Sequence, residues 1–292
     1  MSSGLEGLLR GHKQMIKHRL HENGWTVLLE DVDLTQVSQE DVNDIAKLMM
    51  THTTVVARGQ SMSPVQELEF CQKFGRVQHF DQKMNPGFVL EGTNGGVLRV
   101  TGGLDEHGRP GMFGHVEELQ WHCNRVSDPD RMPIVFLYSD KNTKGSVTSF
   151  LNNIASYNDL SEEFKQRIND YHLDVGPVQQ MTSYYYDDGY EPIRLDDWKP
   201  PLVHTNAMGI KGLFFSWFQT HFIQELGKEE SRELIEHLRE HCEQDKYIYD
   251  HHWEDGDVVI SDQWQSIHRR WAYEHMDKRL VHRVAMDYSK IQ

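Results

Sequence analysis

Cysteine is scarce in this chain of 292 residues: Cys71, Cys123 and Cys242 are the only three, and they lie far apart. An odd, dispersed set does not make a disulfide framework, and it points to a reducing compartment, the cytoplasm. Apolar runs of membrane-spanning length are missing, and the opening residues Met1 to Glu6 lack the apolar core of a signal peptide. Positive charge is in deficit, with 30 Lys and Arg against 45 Asp and Glu and a net charge of -15. That balance, without a basic patch, argues against nucleic acid or an anionic membrane as the main partner. Internal repeats and a linker between domains are also absent, so residues 1–292 read as a single domain.

What is present suits a soluble globular chain. Hydrophobic residues make up 38% and charged residues 26%, and the length allows a sizeable core. The run from Gly24 to Glu30 reads as a strand. Val42, Ile45, Ala46 and Met49 then recur at helical spacing behind the cap candidate Ser38. Thr53 to Ala57 is a β-branched strand. Ser63, Pro64 and Gln66 open a second helix with a cap, a proline at the first position and a capping-box partner, and Gly75 is the expected stop. Residues 86–117 are rich in glycine and mostly without periodicity, which fits either a surface connection or a lid over a pocket.

Strands follow at Met132–Tyr138 and Ser146–Leu151, with a short helix over Leu160–Ile168. Tyr184–Tyr190 reads as an aromatic strand edge and turn. Strands at Leu202–Thr205 and Lys211–Phe218 flank a turn at Asn206–Gly209. Glu229–Gln244 is the clearest helix, with Leu234, Ile235, Leu238 and Cys242 on one face. Tyr247–His252 and Asp257–Ser261 return to strand. Many short strands with turn signals after residue 120 predict a mainly β body with flanking helices, a jelly roll or barrel.

The chemistry is concentrated near the end. Strands at Val258–Ile260 and Val281–Met286 bracket a polar, aromatic segment that carries His268, and Arg279 and Arg283 follow eleven and fifteen residues later. On an extended strand two residues four apart leave one face, so Arg279 and Arg283 form a double fork for oxyanions. His268 is a candidate metal ligand, and His122-Cys123-Asn124 upstream offers a second. Cys123, lying between those ligand positions, should point to the opposite face. The alternative for the arginines is a surface pairing with Glu274 and Asp277. His115, His251, His252, His275 and His282 have no partner pattern and read as structural, and Phe214, Phe215, Trp217 and Phe218 as core and pocket wall.

With Thr148 in the segment Gly145–Asn152, this order and spacing resembles the taurine dioxygenase-like family of Fe(II)- and 2-oxoglutarate-dependent oxygenases. The resemblance covers roughly residues 20–290. It implies a double-stranded β-helix of the clavaminate synthase-like kind, holding Fe(II) through a two-histidine, one-carboxylate triad. His122 and His268 match the histidines. Arg279 and Thr148 match the pair holding the distal carboxylate of 2-oxoglutarate. Arg283 matches the second arginine, for co-substrate or an anionic substrate group.

The departure is Asn124, where the family motif has aspartate. Glu117, Glu118, Asp128 and Asp130 lie nearby, but none has the spacing to replace it. The asparagine leaves several readings open: a weaker iron ligand, an open position as in related halogenases, a non-catalytic binding module, or an engineered substitution. The favoured expectation is an oxygenase that uses Fe(II), 2-oxoglutarate and O2 to hydroxylate an unactivated C–H, releasing succinate and CO2. Glu118, four residues before His122, suggests a contact to an ammonium group and hence an amino acid or other zwitterion as substrate. The family also implies a homo-oligomer.

Overall fold

The capping signals set the first helices. In the computed structural model, which describes residues 15–81, 83, 86–176 and 198–292, strands β1 (His18–Leu20) and β2 (Val27–Leu29) precede helix α1 (Gln39–His52). Ser38 caps α1 in a reciprocal box with Asp41, which satisfies two otherwise orphaned backbone groups and contributes about 1 kcal/mol. Strand β3 (Thr54–Ala57) leads to α2 (Pro64–Gln72), which has the Ser63–Gln66 box and proline in its first turn.

The end of α2 corrects the expected role of Gly75. The helix stops at Gln72 with Lys73 as its cap. Gly75 is needed for a close approach instead, because a Cβ there would lie 2.6 Å from the Asp287 carbonyl oxygen and 2.7 Å from the Ser289 nitrogen. The C-terminal segment is further tied here by Arg76 Nε to Asp287 Oδ2 at 2.6 Å.

The glycine-rich stretch is more ordered than its composition suggests. It contributes β4 (Leu98–Val100) and isolated bridges joining Val89 to Leu98, Val100 to Met112 and Leu104 to Pro110. Then come β5 (Leu119–His122), β6 (Ile134–Lys141), β7 (Val147–Asn152), helices α3 (Asn153–Asn158) and α4 (Glu162–Ile168), and β8 (Leu173–Val175). The expected Tyr184–Tyr190 strand edge lies outside the described residues. Beyond it, β9 (Val203–Thr205) and β10 (Lys211–Leu213) form the expected hairpin, although the second strand ends at Leu213 rather than Phe218. The chain closes with β11 (Thr220–Ile223), α5 (Lys228–Cys242), β12 (Ile248–His252), β13 (Val258–Asp262), β14 (Ser266–Arg270) and β15 (Leu280–Met286).

Two sheets face each other, as a double-stranded β-helix requires. The larger runs β1-β2-β3-β13-β6-β15-β4 and the smaller β12-β7-β14-β5. Helices α1 and α2 pack on the outer face of the larger sheet through Ile45, Met49, Phe70 and Phe74, against Phe136 and Ile260. Helix α5 covers the smaller sheet, burying Leu234, Ile235, Leu238 and Cys242 with Trp121 and Trp217. Between the sheets, Val135, Leu137, Phe150, Trp253, Val259 and Val281 close one end of the sandwich, so β13 is buried on both faces along its length. No helix among the described residues is long and apolar enough to cross a membrane.

Substituting Gly75→Ala drives a methyl group into backbone that the fold holds in place. The variant is expected to lose roughly 1–3 kcal/mol of stability, read as a lower urea midpoint at unchanged slope. A midpoint equal to that of the parent would show that the 287–289 segment yields freely.

Candidate active site

Strand parity builds one cavity at the open end of the sandwich. On β14, His268 and Arg270 face inward, while Ile267 joins the outer core and Arg269 lies over the Trp121 and Trp271 rings. On β15, Val281 and Arg283 face the same space, and Arg279 precedes them with the same parity. The β15–β6 register slips by one residue at Leu280–Val281, and the extra residue lies on β6. The parity of β15 is therefore kept.

The β5–β14 pair carries the decisive irregularity. His122 sits opposite His268 and Leu119 opposite Arg270, so three steps on β5 match two on β14. This bulge lets Leu119 and His122 both reach the cavity while Trp121 stays in the outer core. It also turns Glu118 away. That carboxylate, expected to contact substrate, lies 3.7 Å from Arg269 Nη1 and does not line the cavity. The remaining walls are Val100, Phe113, Asn124, Leu137 and Thr148. Phe214, Phe215 and Trp217 serve the outer core rather than the pocket wall.

The two imidazoles have ring centroids 4.2 Å apart. His122 donates from Nδ1 to the Gln120 carbonyl at 2.7 Å, which leaves its Nε2 lone pair free. Burial pushes His122 down to about 4 and His268 well below the usual imidazole range, with the nearby arginine charges adding to the effect. Both rings are thus neutral at neutral pH, the form in which imidazole binds metal.

Asn124 is held from behind. Its backbone N–H and its Nδ2 donate to the same Gln263 Oε1, at 2.7 and 2.8 Å. With the amide nitrogen engaged there, the oxygen is the atom left for the cavity. Cys123 points the other way, its backbone N–H and C=O paired with the Gln219 side chain and its thiol 3.5 Å from Arg131.

The anion-binding side is richer than the sequence reading allowed. Arg279 donates from Nε to Ser146 Oγ at 3.1 Å and leaves Nη1 buried without a partner. Arg283 makes no side-chain hydrogen bond to any described residue, and its Nε is likewise buried and unpartnered. Among the described residues neither arginine has a carboxylate partner, so the surface pairing with Glu274 and Asp277 is not formed. Burial takes Arg279 down to about 9, helped by the charge of Arg270, and Arg283 down to about 10. Thr148 Oγ1 accepts from Trp253 Nε1 at 2.9 Å, which leaves its hydroxyl hydrogen to donate.

Arg270 carries no mark while Ser266–Arg270 is taken as part of the connection between strands. Read as a strand, the two-residue spacing from His268 would have placed it on the same face. Gln263 and Trp253 gave no comparable signal, since their roles depend on partners more than one hundred residues away.

A sequence profile of the taurine catabolism dioxygenase TauD, TfdA family matches residues 20–285. The chain belongs to that family. The family uses Fe(II), 2-oxoglutarate and O2, and its members are 2-oxoglutarate-dependent dioxygenases. Among curated relatives, the chain is 24% identical over 270 residues to pentalenolactone F synthase of Streptomyces arenae, covering 87% of each chain. It is 27% identical over 265 residues to the alpha-ketoglutarate-dependent 2,4-dichlorophenoxyacetate dioxygenase of Burkholderia sp. (strain RASC), covering 85% of this chain and 86% of that one.

In fold it is similar to AAD-2 solved with Mn(II) and N-oxalylglycine, with a TM-score of 0.76 at 20% identity, covering 95% of this chain and 99% of that one. A taurine dioxygenase from Burkholderia xenovorans superposes with a TM-score of 0.71 at 19% identity, covering 94% and 88%. The jelly-roll expectation is thereby met.

Next to Gln263, Asp262 accepts from the Trp264 backbone N–H and the Tyr288 hydroxyl, both at 2.8 Å. Burial raises its carboxyl to about 6, above the unfolded value near 3.9. A raised folded-state value means that the native chain holds this proton more tightly. Its contribution to stability is complete below about pH 4 and is lost as pH rises to about 6. Relative to Asp262→Asn, the parent should therefore lose roughly 2–3 kcal/mol between pH 4 and 7. Denaturant curves across that range check it, and parallel pH profiles for the two proteins would refute it.

Proposed function

We propose that this protein is an Fe(II)- and 2-oxoglutarate-dependent oxygenase that hydroxylates an unactivated C–H bond of a small molecule, with succinate and CO2 as co-products. The observation that carries the proposal is the pairing of His122 with His268 in a cavity shared with Arg279, Arg283 and Thr148.

The donor set suits the cofactors. Two neutral imidazoles and the Asn124 amide oxygen would hold a divalent metal. The unpartnered guanidinium donors ask for an anion, because a buried donor left unsatisfied costs about 1–3 kcal/mol. Arg279 and Thr148 would clamp the distal carboxylate of 2-oxoglutarate, fixing its direction through a planar fork and a hydroxyl. Arg283 would bind an anionic group of the substrate or co-substrate. When bound, the metal supplies O2 activation coupled to oxidative decarboxylation of the keto acid. The chain's own residues orient both ligands and keep water away, with Phe113, Leu119, Leu137 and Val281 forming the apolar wall.

A neutral amide donates more weakly than a carboxylate, so metal affinity is reduced rather than abolished. Gln263 supports this by fixing the amide through its nitrogen. The zwitterion expectation loses its basis, since Glu118 pairs with Arg269 and no described carboxylate lines the cavity to receive an ammonium group.

Anaerobic titration with Fe(II) and 2-oxoglutarate tests the proposal through the visible metal-to-ligand charge-transfer band. The parent protein is expected to give the band, and Asn124→Asp to give it at roughly tenfold lower iron concentration or less. Turnover with chloride present is expected to yield an oxygenated product. No band in either protein would overturn the proposal and leave a non-catalytic binding module. Separately, Arg279→Gln should raise KM for 2-oxoglutarate about 100-fold, as loss of a charge-assisted fork predicts, while iron binding without co-substrate stays unchanged. An unchanged KM would remove Arg279 from the co-substrate site.

A further inference from the structure

We infer that Arg270 makes this cavity selective for a small organic acid carrying two anionic groups, an inference that rests on the metal and 2-oxoglutarate reading above. The described lining residues include three guanidinium groups, Arg270, Arg279 and Arg283, and no Asp or Glu. A divalent metal and the 2-oxoglutarate dianion cancel each other in charge. Asn124 adds none, and Arg279 is turned to the co-substrate's distal carboxylate, so Arg270 and Arg283 remain for the substrate to meet. A substrate with one anionic group leaves one of them uncompensated in a buried site. An ammonium group on the substrate would make the balance worse.

Arg270 has no carboxylate at ion-pair distance among the described residues, and the Glu117 carboxylate acts on it only from farther away and less strongly than burial does. Its Nη1 donates to the Phe113 carbonyl at 3.0 Å and lies 3.0 Å from Met276 Sδ. Its Nη2 donates to the carbonyls of His115 and Glu117, both at 2.7 Å. These acceptors orient the guanidinium but carry no charge, and Nε is buried with no partner. The side chain is 5% exposed, so water screens it little. A buried cation whose direct contacts are all dipoles keeps an electrostatic demand that an entering anion meets. A guanidinium stays charged at neutral pH even when buried. The carbonyl clamp holds that charge at a fixed point of the wall, which makes Arg270 a specificity-determining residue in addition to Arg283.

The test is a calorimetric titration of the metal-free protein at constant ionic strength with acetate, succinate and propane-1,2,3-tricarboxylate. Three guanidiniums should reward each added carboxylate, tightening binding on the order of tenfold per step. Arg270→Gln should lose the last step and keep the earlier one. Arg270→Lys keeps the charge without the fork and should retain all steps, so a ladder that survives lysine and fails in glutamine reads charge rather than folding. The inference is overturned if the parent shows no gain at the third carboxylate. It is equally overturned if Arg270→Gln keeps that gain, or if both variants lose the whole ladder together. A protein that gives the ladder but no charge-transfer band keeps this inference's anion site and loses the oxygenase proposal. A band without a ladder removes only this inference.

Discussion

The cross-strand register that sets His122 against His268 is the constraint on which the rest of the site depends. Strand β14 is fixed on its other side by five paired positions with β7, from Ser266 opposite Asn152 to Arg270 opposite Thr148. A one-residue slip would turn His268 and Arg270 into the outer core and bring Ile267 and Arg269 into the cavity. What resists that slip is apolar packing on the far face, where Ile267 and Trp121 sit beneath α5. The helices contribute no group to the cavity lining among the described residues, but by burying one face of the sheet they decide what the other face presents.

The same sandwich carries an electrostatic cost. Three guanidiniums and two imidazoles are brought into a space shielded from water, and each is pushed toward its neutral form. Elsewhere some buried ionic groups are paired directly. Asp257 receives both Arg58 and His251, and Glu67 sits 2.8 Å from His282 on the outer face of β15. Arg131, buried outside the cavity, also lacks a carboxylate at ion-pair distance among the described residues, but it is a single cation stacked over the Phe214 and Trp264 rings. The cavity gathers three cations and leaves them to carbonyls, a serine hydroxyl and empty space. That contrast is the physical mark of a ligand site, because an uncompensated buried charge persists in a protein only where something else offsets its cost.

Much of this was legible in the sequence where the signal is local. Ser38, Ser63 and Pro64 announced helix starts, and Arg279 with Arg283 announced a shared face, because caps and strand alternation act over a few residues. The order of motifs around His122, Thr148, His268 and the two arginines was enough to reach the fold. What failed depended on distant chain. Gly75 was read as a helix stop, yet it answers to Asp287 and Ser289 across the structure. Glu118 was placed by counting back from His122, and the β5 bulge breaks that count. Gln263, which fixes the Asn124 amide, carries no mark in its own segment, since its partner lies 139 residues away. Arg270 was the avoidable loss, for its alternation with His268 is as local as any signal that succeeded.

Asn124 and Arg270 act in the same direction. One removes a negative charge from the metal-binding corner, and the other adds a positive charge to the wall beside it. On the proposed site a divalent cation entering alone meets like charge from three guanidiniums and only neutral ligands. An anion entering first meets those guanidiniums favourably and then draws the cation in. Metal and anion must therefore favour one another's binding, and by linkage the factor by which the anion tightens metal is the factor by which metal tightens the anion. A carboxylate at position 124 would weaken that interdependence by supplying part of the counter-charge permanently. On the proposed site the asparagine would thus shift the balance from a site that keeps its metal toward one whose metal affinity is set by the acids bound beside it.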